Sequence, residues 1–462
     1  MTPRPGGAEE ITVVNHVSLP AAVPRGDHQP KVLRSWRSVR RGVVWSVLVV
    51  VIAYLALVVT FNLRTPAWEN DDEAGHMVYT EYFVQHHMLP PIAEASGDES
   101  HQGPLYYVLL GEFQTTLGIP AFQPQLPPTA PHGPSVPYEL SHRYTPEQHQ
   151  QAVWLHTLRF FSIFCGLLTV LAAYLTGWLL TRRTSVAAAM AATVAVWPKF
   201  LVISAAVTNS ALVDAVCACA LPCWVWWHRS RSPRVAAVTG GVLGAAVLTQ
   251  VTALPLTALL LLSMLVAAII RRDWLSPLLA FCGSTVVCGW WFIRNAVLYG
   301  DPLATMATDA NMRATLPGLN VVRSPPSLSL AVIRHMIPYA EHSFWYSAGW
   351  DQLLLPRSVD DVLWIFAGVS ILATLSAYRG LHLAFVAGVI ASIVAWLLII
   401  RSATHGQGRY LLTGVTAWAT LLVTGITRIG PRRQWQPWVW PAVFLILDGY
   451  LILTTLIPYG GS

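Results

Sequence analysis

Apolar runs long enough to cross a membrane recur along almost the whole of this 462-residue chain. A helix needs about 20 apolar residues to cross the hydrocarbon core, where its backbone must satisfy its own hydrogen bonds. The runs are 43–61, 157–180, 185–203, 209–227, 235–249, 252–270, 277–293, 362–378, 382–400, 411–427 and 438–456. We therefore expect an all-α integral membrane protein of about eleven transmembrane helices. The stretch 235–270 could be two short spans broken near Thr249-Gln250-Val251, or the break could lie elsewhere.

The composition agrees with a membrane protein. The chain is 54% hydrophobic and 11% charged, whereas a soluble domain has about 25% charged residues. The net charge of +6 is carried almost entirely by arginine, much of it in short loops. This charge indicates membrane orientation, and we expect no nucleic-acid partner.

Arginines before the first run and in alternate loops predict the topology. They are Arg34, Arg37, Arg40 and Arg41, then Arg182 and Arg183, Arg229, Arg231 and Arg234, Arg271 and Arg272, Arg379, and Arg428, Arg432 and Arg433. Positively charged loops stay in the cytoplasm, so we expect a cytoplasmic N-terminus and an outer C-terminus in a multi-pass protein of the cell membrane. Residues 1–42 are polar and unlike a signal peptide. We expect them to form a disordered cytoplasmic tail ahead of a membrane domain of residues 43–462.

Two long loops, 62–156 and 294–361, fall on the outer side in this topology. Loops of this length are usually functional. Their aromatic residues predict amphipathic helices at the membrane interface; these residues are Tyr79, Tyr82 and Phe83 in the first loop and Phe344, Trp345 and Trp350 in the second. The segment from Pro120 to Pro137 contains too many prolines for a helix and is expected to form an irregular flap.

The six cysteines lie inside apolar runs, at positions 165, 217, 219, 223, 282 and 288. Cys217, Cys219 and Cys223 have the spacing of a metal cluster, but no polar ligands surround them. We interpret the cysteines as buried core residues, with no disulfide framework or structural zinc.

An acidic cluster, Asn70-Asp71-Asp72-Glu73-Ala74-Gly75-His76, follows the first run closely. One interpretation is a helix start, with Asn70 as N-cap and the acids in the first turn. In the other, His76 shares a helix face with Asp72 and Glu73. A carboxylate placed there could accept a proton from a hydroxyl group.

Other polar residues cluster on the same predicted side. His101-Gln102-Gly103-Pro104-Leu105-Tyr106-Tyr107 predicts a helix that starts at Pro104, which leaves a site role open for His101 and Gln102. Cations at the outer ends of spans are Lys199, Arg294, Arg401 and Arg409, the last followed by Tyr410. They could be interfacial anchors, or several of them could bind a phosphate.

In order and topology, these blocks resemble the GT-C superfamily of membrane glycosyltransferases. Its members include protein O-mannosyltransferases and lipid A aminoarabinose transferases, and the chain resembles most a bacterial branch catalogued as a domain of unknown function. Further similar blocks are 207–210, 289–302, Ser343-Phe344-Trp345 with Gly349-Trp350, and 406–411. The chain departs from the pattern at Gly103, where a second proline is common, and at the additional Asp71.

The resemblance implies an inverting transferase that moves a sugar from a polyprenyl phosphate to a hydroxyl of a glycan, lipid or protein at the outer face. Asp72 would be the general base, although Asp71 is an alternative, and Glu73 and His76 would orient the base or the acceptor. Lys199, Arg294 and Arg409 would bind the phosphate, with Asp71, His101, Gln102, Arg401 and Tyr410 as further substrate contacts. Carboxylates and phosphate could share a divalent metal, although no ligand set in the sequence demands one, and no other cofactor is assigned.

Two other functional classes remain open. A transporter or flippase of lipid-linked saccharides would share the spans but normally needs ionisable groups at mid-membrane depth. The span interiors are nearly free of such groups, with Asp214 and Asp448 as the main exceptions, which favours an enzyme. The third interpretation is a non-catalytic subunit of polysaccharide assembly.

Overall fold

The computed structural model describes residues 31–93, 96–124, 145–316, 326–377, 381–403, 406–431 and 433–457. Over this part of the chain the fold is helical apart from one two-stranded hairpin, which confirms the predicted all-α class. The chain divides into two units between Val43 and Val44. Most of the predicted tail, residues 1–30, lies outside the described residues, while residues 31–42 are helical. The division at residue 42 between a disordered tail and a membrane domain stays a prediction.

The regular elements are numbered along the chain. The helices are α1 (Lys31–Arg64), α2 (Glu73–His86), α3 (Leu105–Thr116), α4 (Pro146–Thr181), α5 (Thr184–Ala195), α6 (Pro198–Ser204), α7 (Asn209–Ser230), α8 (Pro233–Thr249), α9 (Leu254–Arg271), α10 (Leu275–Tyr299), α11 (Thr305–Thr315), α12 (Leu330–Trp345), α13 (Arg357–Ala377), α14 (Leu381–Ile400), α15 (Val415–Ile426) and α16 (Val439–Leu451). Strands β1 (Ser347–Ala348) and β2 (Leu353–Leu354) pair antiparallel. Two 3₁₀ turns, Asp98–His101 and Gly408–Gly414, lie near the candidate site.

Over the described residues, each predicted apolar run largely coincides with one helix or with consecutive helical segments. Among the described residues, seven helical segments are long and apolar enough to span a membrane, or eight if the bent pair α5–α6 is one span. Pro233–Thr249 and Phe385–Ile400 are apolar but shorter. The chain breaks where expected, because α8 ends at Thr249 and Gln250 is extended. The total of eleven spans stays a prediction.

The bend between α5 and α6 places a buried lysine. The two helices meet at 64°, and Trp197 between them has an extended backbone, with φ −79° and ψ 117°. The cause lies in the sequence, since Pro198 disfavours a helical conformation in the residue before it and suits the first position of the next helix. Lys199 therefore lies in the first turn of a new helix inside the protein.

The two long inter-span segments fold back onto the bundle. The first contains α2 and α3, and the second contains α11, α12 and the hairpin. Three aromatics predicted at the interface, Tyr79, Phe344 and Trp345, are instead fully buried. The prediction was wrong for them because they pack on other rings: Tyr79 stacks on Tyr107, with ring centroids 3.8 Å apart. Tyr82, Phe83 and Trp350 are half-buried, and most of the predicted proline-rich flap, 125–144, lies outside the described residues.

Close helix packing uses small residues, as is common between membrane helices. A Cβ atom at Gly240 in α8 would collide with the carbonyl oxygen of Ala280 in α10. The cysteines fit this core only in part. Cys165, Cys217 and Cys288 are buried and Cys219 and Cys223 half-buried, but Cys282 is exposed, which corrects its prediction as a core residue.

Candidate functional site

The start of α2 differs from the sequence prediction. The helix begins at Glu73, and Asp72, not Asn70, is its N-cap. The backbone of Asp72 is left-handed, with φ 59°, and its carbonyl accepts a 3.0 Å hydrogen bond from the His76 amide. Aspartate is one of the few residues that adopt this conformation at modest cost. Asp71 and Asp72 thus precede the helix, whose N-terminal dipole favours a carboxylate.

Glu73 is tied into a buried ion pair. Arg159 of α4 donates hydrogen bonds of 2.8 and 2.7 Å to its two carboxylate oxygens, and neither side chain is exposed. The amides of Val207 and Trp68 donate to the same oxygens, at 2.9 and 3.2 Å. The carboxylate therefore accepts four hydrogen bonds, which use all of its lone-pair sites. In this state Glu73 holds the start of α2 against α4 and has no oxygen free to accept a proton.

Asp72 faces a cation from the other end of the chain. The Arg409 guanidinium donates a hydrogen bond to the Asp72 carboxylate. The same group donates to the Tyr410 hydroxyl at 3.3 Å, and its carbon lies 5.2 Å from the centre of the Tyr410 ring. The Asp72 side chain is 28% exposed and that of Arg409 9%. The predicted base and a predicted phosphate ligand are thus direct neighbours.

A glycine brings Arg409 into position. The amide of Gly408 donates a 2.7 Å hydrogen bond to the Ser343 hydroxyl of α12. A Cβ atom at Gly408 would lie 2.6 Å from the backbone nitrogen of Phe344, so another residue could not approach α12 as closely. The Gly-x-Gly-Arg sequence is therefore explained by packing of the turn on α12.

Asp71 faces the second predicted phosphate ligand. The Lys199 ammonium lies 3.6 Å from the Asp71 carboxylate and donates hydrogen bonds to the carbonyl and hydroxyl oxygens of Ser347, at 3.0 and 2.5 Å. The Asp71 side chain is only 7% exposed. Of the two neighbouring aspartates, Asp72 is the more accessible.

The β-hairpin closes the site from the second long loop. The Trp350 indole donates a 3.3 Å hydrogen bond to the carbonyl of Trp68, and Gln407 donates a 2.8 Å hydrogen bond to Asp351. All these residues except Gln407 have left-handed backbones: φ is 71° at Trp68, 55° at Trp350 and 60° at Asp351. Such conformations cost free energy and concentrate at functional sites.

The predicted site histidines are held by hydrogen bonds. Nδ1 of His76 lies 2.9 Å from the Tyr107 hydroxyl, and Nε2 lies 3.3 Å from that of Thr208. Burial lowers the pKa of His76 to about 3, so this ring is neutral at physiological pH. His101 contacts the Asp98 carbonyl oxygen through Nδ1 at 2.9 Å, and burial lowers its pKa as well. The backbone amide of Gln102 donates a 3.0 Å hydrogen bond to the Glu99 carbonyl.

Further carboxylates surround Asp72, and their ionisation differs. Burial and nearby Asp351 raise the pKa of Asp71 to about 6. Burial and Asp72 raise the pKa of Asp98 to about 6, and burial raises that of Glu99 well above its usual value. Burial opposes ionisation of Asp72 too, but Arg409 and other cationic neighbours prevail and lower its pKa. Asp72 is therefore the member of this cluster that stays ionised over the widest pH range.

Several buried polar atoms of the site have no hydrogen-bond partner among the described residues. They are both amide atoms of Asn70, Oδ1 of Asp71, Oδ1 of Asp351, Oε1 of Gln407 and Nε of Arg409. Most buried polar groups in proteins are satisfied, and a cluster of exceptions requires an explanation. A polar ligand seated between Asn70, Asp351 and Arg409 would provide one.

The other two cations that the sequence suggested as substrate ligands contact residues outside the cluster around Asp72. Arg294 donates a 3.0 Å hydrogen bond to the Pro90 carbonyl and lies 4.9 Å from the centre of the Trp291 ring. Arg401 is exposed, and its backbone carbonyl accepts a hydrogen bond from Ser327 at 2.9 Å. The structure thus brings together Lys199 and Arg409 but not all four cations. Among the described residues, no group of three or more His, Cys, Asp or Glu side chains is arranged to hold a metal ion.

Sequence analysis missed several site residues. Arg159 carried a usable signal, because a lone arginine within an apolar run is costly and usually has a partner. Asp98, Glu99, Ser347 and Asp351 had no comparable signal, since only the fold of the long loops brings them to Asp72.

The site and the arginine-rich loops are well separated along the same helices. Along α4, 23 residues separate Arg159 from Arg182, which corresponds to about 34 Å at 1.5 Å per residue. Along α7, Thr208 at the start and Arg229 near the end are about 31 Å apart. A bilayer core is about 30 Å thick, so the two sets of charges are spaced like the two membrane surfaces.

Comparisons with known proteins agree with the fold. Residues 136–308 match the family model described as dolichyl-phosphate-mannose-protein mannosyltransferase. ArnT from Cupriavidus metallidurans bound to undecaprenyl phosphate is similar in structure, with a TM-score of 0.53 and 15% identity over 88% of this chain and 64% of that chain. The Archaeoglobus fulgidus oligosaccharyltransferase in complex with Zn and sulfate has a TM-score of 0.50 and 13% identity over 89% and 52%.

This chain thus spans about two thirds of the ArnT chain and about half of the oligosaccharyltransferase chain. No curated protein sequence is significantly similar to it. With its helical membrane architecture, the chain has the all-α fold of the GT-C membrane glycosyltransferases, and a region that matches the dolichyl-phosphate-mannose-protein mannosyltransferase family lies within it.

Proposed function

We propose that the chain is an inverting glycosyltransferase that moves a sugar from a polyprenyl-phosphate donor to an acceptor hydroxyl at the outer membrane face. The observation that carries this proposal is the contact between Asp72 and Arg409. A partly exposed carboxylate and a guanidinium meet beside buried polar atoms without partners. Such a pair can serve both halves of the reaction, since one group accepts a proton and the other binds a phosphate.

The comparisons support a lipid-phosphate donor. The matching family is named for a sugar carried on dolichyl phosphate, and the similar ArnT structure contains undecaprenyl phosphate. In both dolichyl phosphate and undecaprenyl phosphate, the phosphate is attached to a polyprenyl chain. Such a donor keeps its anomeric carbon near the membrane surface, which is where we place Asp72.

In the proposed mechanism, the donor phosphate first competes with Asp72 for Arg409. Arg409 lowers the pKa of Asp72, so loss of this contact makes the carboxylate a stronger base. The acceptor oxygen then attacks the anomeric carbon from the side opposite the phosphate, and its proton passes to Asp72. The bond between the anomeric carbon and the phosphate oxygen breaks, and Arg409 and Lys199 stabilise the negative charge of the departing lipid phosphate.

Most of the remaining candidate site residues are positioning residues in this proposal. Glu73 fixes Asp72 through Arg159, and neutral His76 holds α2 to α3 through Tyr107. Asp71 pairs with Lys199, and Tyr410 orients Arg409. Arg294 holds the segment after α2 through Pro90. His101, Gln102 and Arg401 remain candidate substrate contacts, and no step is assigned to a metal.

Transfer can be distinguished from transport by its products. The full chain is reconstituted in liposomes with undecaprenyl phosphates that carry radiolabelled mannose, glucose or arabinose, together with cell-envelope extract as acceptor. We expect at least one donor to release undecaprenyl phosphate as its sugar moves to the acceptor, and Arg409→Ala to slow this release at donor concentrations well below KM. Movement of intact donors across the bilayer without cleavage would indicate a flippase. If neither transfer nor transport occurs with any donor, the result favours a non-catalytic subunit.

A further inference from the structure

We propose that the end of the bundle opposite the candidate site binds the head group of an anionic membrane phospholipid between Arg182 and Arg229. This binding site is separate from the proposed transferase reaction and does not depend on it. Its ligand is a lipid of the bilayer itself, recognised by a phosphate group and by the first part of its acyl chains.

A cavity joins the two arginines. It has a volume of ≈ 570 Å³ and lies between the ends of α4 and α7. Its lining consists of Leu175, Leu179, Arg182, Pro222, Cys223, Trp226, Arg229 and Ser230. Two arginines thus line one space whose lining includes no carboxylate. Within the described part of the chain neither arginine has an ion-pair partner.

The rest of the lining suits lipid chains. Leu175 and Leu179 are one helical turn apart on α4, and they form an apolar wall below Arg182. Opposite them, Pro222 interrupts the hydrogen bonding of α7, as a proline inside a helix must. Trp226 is 56% exposed at the mouth, and tryptophan is the residue type enriched at membrane interfaces.

The depth of the cavity matches a lipid head group. Arg182 lies about 34 Å along α4 from Arg159 of the candidate site, close to the thickness of a bilayer core. The cavity is therefore at the opposite membrane surface. Basic pockets between membrane helices on the cytoplasmic side are known to take anionic lipid head groups.

Arginines at helix ends also have simpler explanations than lipid binding. Arginines near the last turn of a helix favourably meet its dipole, and they also set topology. Arg271 and Arg272 at the end of α9 satisfy both explanations but do not line this cavity. Arg182 and Arg229 differ from them because they share a space with an apolar wall.

Lipid binding is measured on the purified full chain in zwitterionic detergent by native mass spectrometry, with phosphatidylglycerol and phosphatidylcholine as probes. We expect preferential retention of phosphatidylglycerol, and about 10- to 30-fold weaker binding for Arg182→Gln/Arg229→Gln, as expected for loss of two basic contacts. The matched control Arg271→Gln/Arg272→Gln removes the same charge and should bind like the unmodified chain. Excess inorganic phosphate should not displace the lipid, because it makes no apolar contacts.

A second readout uses the protein without substitution. Cys223 lines the cavity, so phosphatidylglycerol should slow its alkylation, measured by peptide mapping, more than phosphatidylcholine does. Equal retention of the two lipids, equal loss of binding in both double variants, or displacement by inorganic phosphate would overturn the proposal. So would a Cys223 alkylation rate that does not respond to phosphatidylglycerol.

Discussion

Arg409 donates a hydrogen bond to the carboxylate of Asp72 across 337 positions of sequence. The contact joins the segment after the first span to the turn before α15, so that the two ends of the membrane domain complete one site. Each group limits what the other can do. While they are paired, Asp72 is a weaker base and Arg409 has less capacity for a phosphate.

Replacement of Arg409 tests the assignment of the donor phosphate. Arg409→Ala removes a charged hydrogen-bond donor, whose loss typically costs about 1.5–3 kcal/mol. We expect donor KM to rise by about 10- to 100-fold. Arg409→Lys should retain only part of the donor affinity, since an ammonium lacks the planar fork of a guanidinium. If donor KM and kcat in the reconstituted transfer assay stay unchanged in both variants, Arg409 is only an interfacial anchor.

The buried pair of Glu73 and Arg159 should contribute to stability. Glu73→Gln preserves the shape but leaves the Arg159 charge unpaired in a site without solvent exposure. Loss of one partner of a buried ion pair typically costs about 3–5 kcal/mol, so the unfolding temperature in detergent should fall markedly. As a matched control, Glu112→Gln changes the same residue type at an exposed position of α3 and should leave that temperature unchanged. A Glu73→Gln protein as stable as the unmodified chain would contradict the structural role of this pair.

Asp71 should make donor affinity depend on pH. Its pKa is raised to about 6 by burial and by Asp351. Below this pH Asp71 is neutral, so the Lys199 ammonium is available to bind the donor phosphate. Above it, the Asp71 carboxylate is ionised and competes with the donor phosphate for Lys199. Donor KM should therefore rise by about tenfold as pH increases from 5 to 8, equivalent to ~1.4 kcal/mol.

In Asp71→Asn, the low KM should persist over the whole range. Asp98→Asn is the control, since Asp98 has a similarly raised pKa but no contact with Lys199. A pH dependence that survives in Asp71→Asn and disappears in Asp98→Asn would move the titrating group to Asp98.

The orientation of the bundle can be tested by cysteine labelling. Met306 is exposed in the second long loop, and Ser230 is exposed at the end of α7. With an impermeant maleimide, Met306→Cys should label in intact cells and Ser230→Cys only after lysis, each compared with the background of the unmodified chain. The reverse pattern would place the candidate site in the cytoplasm.

The helices were predictable because their signals are local. Each apolar run largely coincides with one helix or with consecutive helical segments, and Pro198 and Gln250 mark breaks between helices. Asp72 and Arg409 were predicted separately, each from a motif near the end of a span. Their direct contact could not be read from either motif, because it depends on how the spans pack.

Other properties of the site depend on long-range structure in the same way. The N-cap is Asp72 and not the predicted Asn70, because Arg159 and Val207 hold Glu73 at the first position of α2. Asp351 joins the site only through the β-hairpin turn, with its left-handed backbone. The buried position of Tyr79 follows from its stacking on Tyr107, which no periodicity within α2 indicates.

The central claim is that Asp72 is the general base, and Asp72→Asn tests it most directly. The variant preserves the size of the side chain and removes the basic carboxylate, so kcat for sugar transfer should fall by about 10²- to 10⁴-fold. Donor KM should stay the same or decrease, because Arg409 loses its competitor. Asp71→Asn, the matched control, should keep kcat within a few-fold of the unmodified chain. An Asp72→Asn enzyme with unchanged kcat would contradict the account, and a loss confined to Asp71→Asn would assign the base to the preceding residue.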